Sequence, residues 1–214
     1  MRRPDSKSLQ TPDPQASSSA SHSATPREVI GICASTGGPR ALSEVIGRLP
    51  ADYGIPILVV QHMTPGFTAG LVAWLDRALA LPIRLASDGQ ALAPGVWFAP
   101  DGAHLKLELP RRLGLDADTI AGSHRPSGDV LFSSLARVAG AQAVAVVLTG
   151  MGCDGAEGLV AVAAAGGRTI AQDEQSSGIY GMPRVAVERG AKTVLAPAAI
   201  GDELAALDQR KARR

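Results

Sequence analysis

A doubly wound α/β fold, with a mostly parallel sheet, flanking helices and a β-hairpin insertion, is predicted by three features of the sequence. Short β-rich runs recur along it, amphipathic helical stripes separate them, and one central stretch alternates apolar and polar residues instead. The run "EVIGIC" at 28–33 reads as the first strand. Pro39 then stands at a first helical position, and Leu42, Val45, Ile46 and Leu49 recur at i, i+3, i+4 and i+7, the stripe of one helix face. "PILVV" at 56–60 reads as a second strand, and Phe67, Leu71, Trp74, Leu75 and Ala78 follow at helical spacing. Two such units in succession imply parallel strands joined by crossover helices. The middle differs: "GVWFAP" and "HLKLELP" sit close together, with Leu105, Leu107 and Leu109 alternating with polar residues, which predicts a local antiparallel excursion with one wet face. A helix over about 127–138, the strand "AVAVVLT", a helix through Leu159 and Val162, the strand "RTIAQ" and a helix after Pro183 restore the βα rhythm.

Composition sets the boundaries of this body and the classes it excludes. Residues 1–27 are rich in Ser, Pro and Ala and show no period, so they bury too little to offset their ordering entropy and read as a flexible tail. The globular domain is expected over 28–208, followed by a basic tail, "QRKARR", at 209–214. The N-terminal tail carries +2 and the C-terminal one +4 of a total of +1, which leaves the body at −5. An acidic body with seven aromatic residues offers no basic, aromatic-lined face for nucleic acid. No apolar stretch approaches the ~18 residues of a membrane span, and the start lacks the apolar core of an export signal. A cytoplasmic location is therefore expected, with Cys33 and Cys153 as thiols.

In an open α/β sheet, ligands meet the carboxyl ends of the strands. Three loops leave there: "ASTGGP", "QHMTPG" and "GMGCDG". Ser35 lies on the turn between the first strand and a helix start, where the N–H groups of Thr36, Gly37 and Gly38 can hold an oxyanion, as in a nucleophile elbow. An anion-binding glycine turn would read the same way. A serine nucleophile needs a base. Of the four histidines, His22 is in the tail, His104 borders the hairpin and His124 precedes a helix; His62 alone follows a parallel strand, on the same edge as Ser35. Asp154 leaves the strand "AVAVVLT" on that edge too, and can fix the imidazole tautomer. The alternative reading takes "GMGCDG" as a GxGxxG dinucleotide loop with Asp173 as the ribose acceptor, and leaves Ser35 and His62 without a role.

The stretches "ASTGGP", "QHMTPGFT", "HRPSGDVLF", "LTGMGCDGAEGL" and "TIAQDEQSSGIYGMPRVA", in that order, closely resemble the catalytic domain of the chemotaxis receptor protein-glutamate methylesterases, the CheB type, from about residue 28 to 207. The resemblance implies a serine esterase that hydrolyses glutamyl methyl esters on the cytoplasmic helices of methylated chemoreceptors, and that often also deamidates receptor glutamines. It places the nucleophile on Ser35, the base on His62 and the acid on Asp154, with Thr36 and Met151 lining the site chiefly through the backbone. No metal or organic cofactor is implied; a non-catalytic adaptor binding the same helices is the remaining alternative. Members of the family usually carry an N-terminal receiver domain, whereas 27 residues precede the first strand here, so phosphorylation control by that route is not expected. Cys33 stands where a glycine is common in the family and Cys153 where a polar residue is frequent. Two unrelated thiols are expected, against the alternative of a disulfide or metal clip between them.

Overall fold

Strand β1 (Val29–Ala34) is buried along its whole length, and its alternation sorts side chains onto two cores: Ile30, Ile32 and Ala34 into one, Val29 and Cys33 into the other. The computed structural model describes residues 28–122 and 124–212, so the expected tail at 1–27, with His22, and the last two residues lie outside the described residues. Around β1 the chain builds β2 (Ile57–Gln61), β3 (Ile83–Leu85), β4 (Val96–Phe98), β7 (Ala143–Val147), β8 (Arg168–Gln172) and β9 (Thr193–Leu195). They form one sheet in the order β3-β4-β2-β1-β7-β8-β9, parallel at every pairing.

Helices α1 (Gly38–Ile46), α2 (Thr68–Ala78) and α6 (Pro197–Ala212) cover one face through Leu42, Val45, Leu75, Ile200 and Leu204. Helices α3 (Gly128–Ala139), α4 (Ala156–Ala164) and α5 (Met182–Glu188) cover the other through Leu131, Phe132, Leu159 and Met182. The doubly wound fold is therefore present. The order of strands reverses between β1 and β7, and such a switch point opens a crevice at the carboxyl ends of the strands.

The middle of the chain corrects one expectation. "GVWF" is not half of the antiparallel excursion: β4 joins the main sheet, parallel to β2 and β3. The partner of β5 (His104–Glu108) is β6 (Arg112–Asp116), with Leu105 opposite Leu115 and Leu107 opposite Leu113. Leu105 and Leu107 are buried against α3 and Leu113 lies in the same core, while Leu109 falls in the turn and is exposed. Sequence reading passes over β6 because "RRLGLD" opens on two arginines and holds a glycine, both weak strand signals. At the other end, α6 continues to Ala212, past the boundary expected at 208. No helix among the described residues is long and apolar enough to cross a membrane.

Candidate active site

Ser35 is the first residue beyond β1. Its N–H donates to the Thr149 carbonyl two residues beyond β7, 3.0 Å away, and its carbonyl accepts from Gly38 N–H at 2.8 Å. The turn closes through Gly37 at φ +81°, and α1 starts at Gly38 with Pro39 in its first turn. Close approach is built in on the far side: a Cβ on Gly150 would stand 2.6 Å from Cβ of Ser35. The Thr149 hydroxyl donates to the Thr36 carbonyl at 2.9 Å and accepts from Ile179 N–H. Because Gly38 N–H is consumed by the Ser35 carbonyl, the expected trio of oxyanion donors loses that member. Thr36 and Gly37 are exposed, as is Met151 on the facing loop, and their N–H groups have no partner among the described residues.

His62 leaves β2 one register step beyond the Ala34–Gln61 pair, which sets it beside Ser35. Its N–H donates to the Ala34 carbonyl at 2.8 Å, and the buried Gln61 amide donates to the carbonyls of both Ser35 and His62, tying the two strand ends together. The ring reaches across β1: Nε2 lies 2.8 Å from Oδ2 of Asp154. Nδ1 is buried without a hydrogen-bond partner, so Ser35 and His62 are neighbours that are not hydrogen-bonded to each other. Catalytic hydrogen bonds are often this loose before substrate arrives.

Asp154 is held from the opposite side by the start of α3. Its Oδ1 accepts from the Ser127 hydroxyl at 2.7 Å and Asp129 N–H at 3.1 Å, and Oδ2 accepts from Gly128 N–H at 2.5 Å. Burial raises the cost of its charge, but the bonds from His62, Gly128, Ser127 and Asp129 outweigh that and hold the carboxyl well below the usual range. A helix N-terminus adds its partial positive charge. Sequence reading found the carboxylate and missed this cradle. The signal available was "PSGD", a serine N-cap opening a helix whose first N–H groups need acceptors. It also set His124 aside as a residue before a helix; the ring stacks on His62, centroids 4.2 Å apart and 14° from parallel. Burial first, then the neighbouring His62, push the His124 ring toward its neutral form.

The family model described as CheB methylesterase matches residues 30–204. This chain belongs to the CheB methylesterase family. The crystal structure of the Thermotoga maritima CheB methylesterase catalytic domain superposes with a TM-score of 0.82 at 38% identity, over 84% of this chain and 98% of that one. The chain is 44% identical over 174 residues to the protein-glutamate methylesterase/protein-glutamine glutaminase of group 3 operon of Rhizobium meliloti, covering 81% of this chain and 49% of the relative. It is 43% identical over 187 residues to protein-glutamate methylesterase FrzG of Myxococcus xanthus, covering 87% and 56%. The chain spans about half the length of these curated relatives.

The two cysteines of this CheB-family chain have clear places. Cys33 is fully buried on β1 beneath Asp154, and Cys153 is exposed; both thiols are free, with no disulfide between them. The other two sequence candidates are engaged elsewhere. His104 opens β5, buried, with Nε2 3.1 Å from the Thr119 carbonyl. Asp173 accepts from Ser176 N–H at 2.9 Å within its own turn, and the "GMGCDG" loop turns its carboxylate onto His62, so the dinucleotide reading has neither its acceptor nor its phosphate loop.

Proposed function

We propose that this chain is a serine esterase acting on glutamyl methyl esters of methylated chemoreceptors in the cytoplasm, with deamidation of receptor glutamines as its second reaction. The observation that carries the reading is the 2.8 Å bond between His62 and a carboxylate held ionised at a helix start, on the strand end beside Ser35. Nε2–H donates to Asp154, which leaves the Nδ1 lone pair to take the Ser35 proton as its oxygen attacks the ester carbonyl. The N–H groups of Thr36, Gly37 and Met151, without a partner among the described residues, are the donors this reading assigns to the oxyanion; one such donor is typically worth about 10² to 10³ in rate. His62 passes the proton to methoxide, methanol leaves, and water repeats the path on the glutamyl ester of Ser35. A glutamine side chain enters the same cycle with ammonia as the leaving group. The names of the relatives support both reactions.

Methanol release from methylated receptor membranes tests the reading. Ser35→Ala is expected to lose turnover by about 10⁴-fold or more while its melting temperature is kept. Normal turnover in a folded Ser35→Ala protein would overturn the mechanism, and a wild type that binds receptor without releasing methanol would make the chain an adaptor.

A further inference from the structure

The segment that joins β6 to α3 serves both partners of the His62–Asp154 pair. At its far end the Ser127 hydroxyl and the N–H groups of Gly128 and Asp129 hold the Asp154 carboxylate. Earlier in the same segment, His124 lays its ring on His62, centroids 4.2 Å apart and 14° from parallel. The segment is tied down on the hairpin side as well. The Asp116 carboxylate accepts from the N–H groups of Asp118 and Thr119, the Arg125 guanidinium donates to the Ala117 carbonyl, and the Thr119 carbonyl lies 3.1 Å from Nε2 of the buried His104. His124 is therefore placed by contacts on both sides of it in the chain.

What the base still needs is a fixed plane. The backbone of His62 is held by its N–H bond to the Ala34 carbonyl, and its Nε2 by the 2.8 Å bond to Asp154. A ring held at Cβ and at Nε2 can still rock about the line between them. Nδ1 lies off that line, buried and without a hydrogen-bond partner, so no bond of its own stops the rocking. A cavity of about 180 Å³ lined by His62, Met63, His124, Arg125 and Pro126 gives the ring room to move. A second flat ring, nearly parallel and in contact across the face, opposes that movement. We infer that His124 is a positioning residue for the reaction: its stacked ring fixes the plane of His62 and so aims Nδ1 at Ser35. The neutral form of His124 suits this role, because His62 becomes a cation when it takes the serine proton, and a second cation stacked on it would oppose the transfer. Burial first, and then His62, push His124 toward that form, against the pull of the Asp154 charge.

The effect on turnover rests on the proposed esterase mechanism; the stack does not, so the test has two arms. In the first, the histidine ring protons of the full chain are followed by NMR, with the His62 signals assigned by their loss in His62→Gln. A ring lying face-on shifts them upfield, so the shift is expected in wild type and in His124→Phe and is expected to vanish in His124→Leu. In the second, methanol release is measured with the same variants. His124→Leu fills the space without a flat ring and is expected to lose kcat by about 10- to 100-fold while KM stays within about 2-fold, since a slightly misplaced catalytic group costs up to about 10²-fold. His124→Phe keeps the flat ring and is expected within about 3-fold of the wild-type kcat. His124→Ala is expected to behave as His124→Leu does; if it fails to fold, the two space-filling variants carry the comparison. A wild-type kcat in His124→Leu, an equal loss in the phenylalanine and leucine variants, a loss carried by KM, or His62 signals that His124→Leu leaves in place would overturn the inference. Failure of the esterase reading gives a different result: the ring shifts persist and wild type itself releases no methanol.

Discussion

A carboxylate with little exposure is stable only if its charge is met, and Asp154 meets it with four donors: His62, the Ser127 hydroxyl and two N–H groups at the start of α3. The same bonds orient the acid and commit His62 to the tautomer with Nδ1 empty. Asp154→Asn keeps the shape but sets an amide against donors, so turnover is expected to fall about 10³- to 10⁴-fold in methanol release, more through kcat than KM. The linkage has a definite sign. A carboxyl held below its unfolded value of about 3.9 contributes stability that is fully present above that pH and lost as pH falls toward the folded value. The gap in melting temperature between wild type and Asp154→Asn is therefore expected to narrow between pH 5 and pH 3, and a gap that stays constant contradicts the cradle as its source. At this scale the sequence exposed the three candidate side chains that the fold brings to one edge, because each directly follows or lies beyond a strand end. It did not expose the partners of Ser127 or His124, since Ser127 meets Asp154 across a separation of 27 positions and His124 meets a histidine on a different element, and no local pattern encodes either pairing.

The elements lock together through glycines whose place is set by packing rather than by turns. Gly158 lies on α4 where α3 crosses: a Cβ there would stand 2.7 Å from Cβ of Phe132 and 2.8 Å from the Asp129 carbonyl. Its N–H also donates to Oδ1 of Asp129 at 2.8 Å. Helix propensity alone says Gly158→Ala stabilises by up to about 1 kcal/mol, but forcing a methyl into a filled contact costs about 1–3 kcal/mol. Net destabilisation is expected, with α3 pushed from α4 and the Asp154 cradle displaced, so urea midpoint and kcat should fall together. A more stable variant with unchanged kcat would show that the helix contact yields freely. Elements with strong periodicity, α1 and α2 among them, were legible from their stripes. The short strands β3, β6 and β9 were not, since three to five residues such as "IRL", "RLGLD" and "TVL" carry too few positions to establish a period, and their pairing comes from neighbours distant in the chain.

Both apolar cores share β1, and β1 delivers Ser35, so the site has no separate foundation that could melt first. Gln61 binds the ends of β1 and β2, Thr149 binds the turn after β1 to the segment at Ile179, and Asp154 binds the loop after β7 to α3. Opening the site breaks hydrogen bonds anchored in the sheet itself, at a cost comparable with losing the strands. Urea unfolding followed by esterase activity, by circular dichroism and by the fluorescence of Trp74 and the buried Trp97 is therefore expected to give one midpoint. Phe132, fully buried between β1 and α4, offers the perturbation. Phe132→Ala removes a side chain that contacts both elements and costs about 3–5 kcal/mol, so all three curves should shift to lower urea by the same amount with an unchanged slope. An activity curve that moves ahead of the other two would mean that the loops carrying His62 and Asp154 open as a unit of their own, and would replace the shared-strand account with one of local opening.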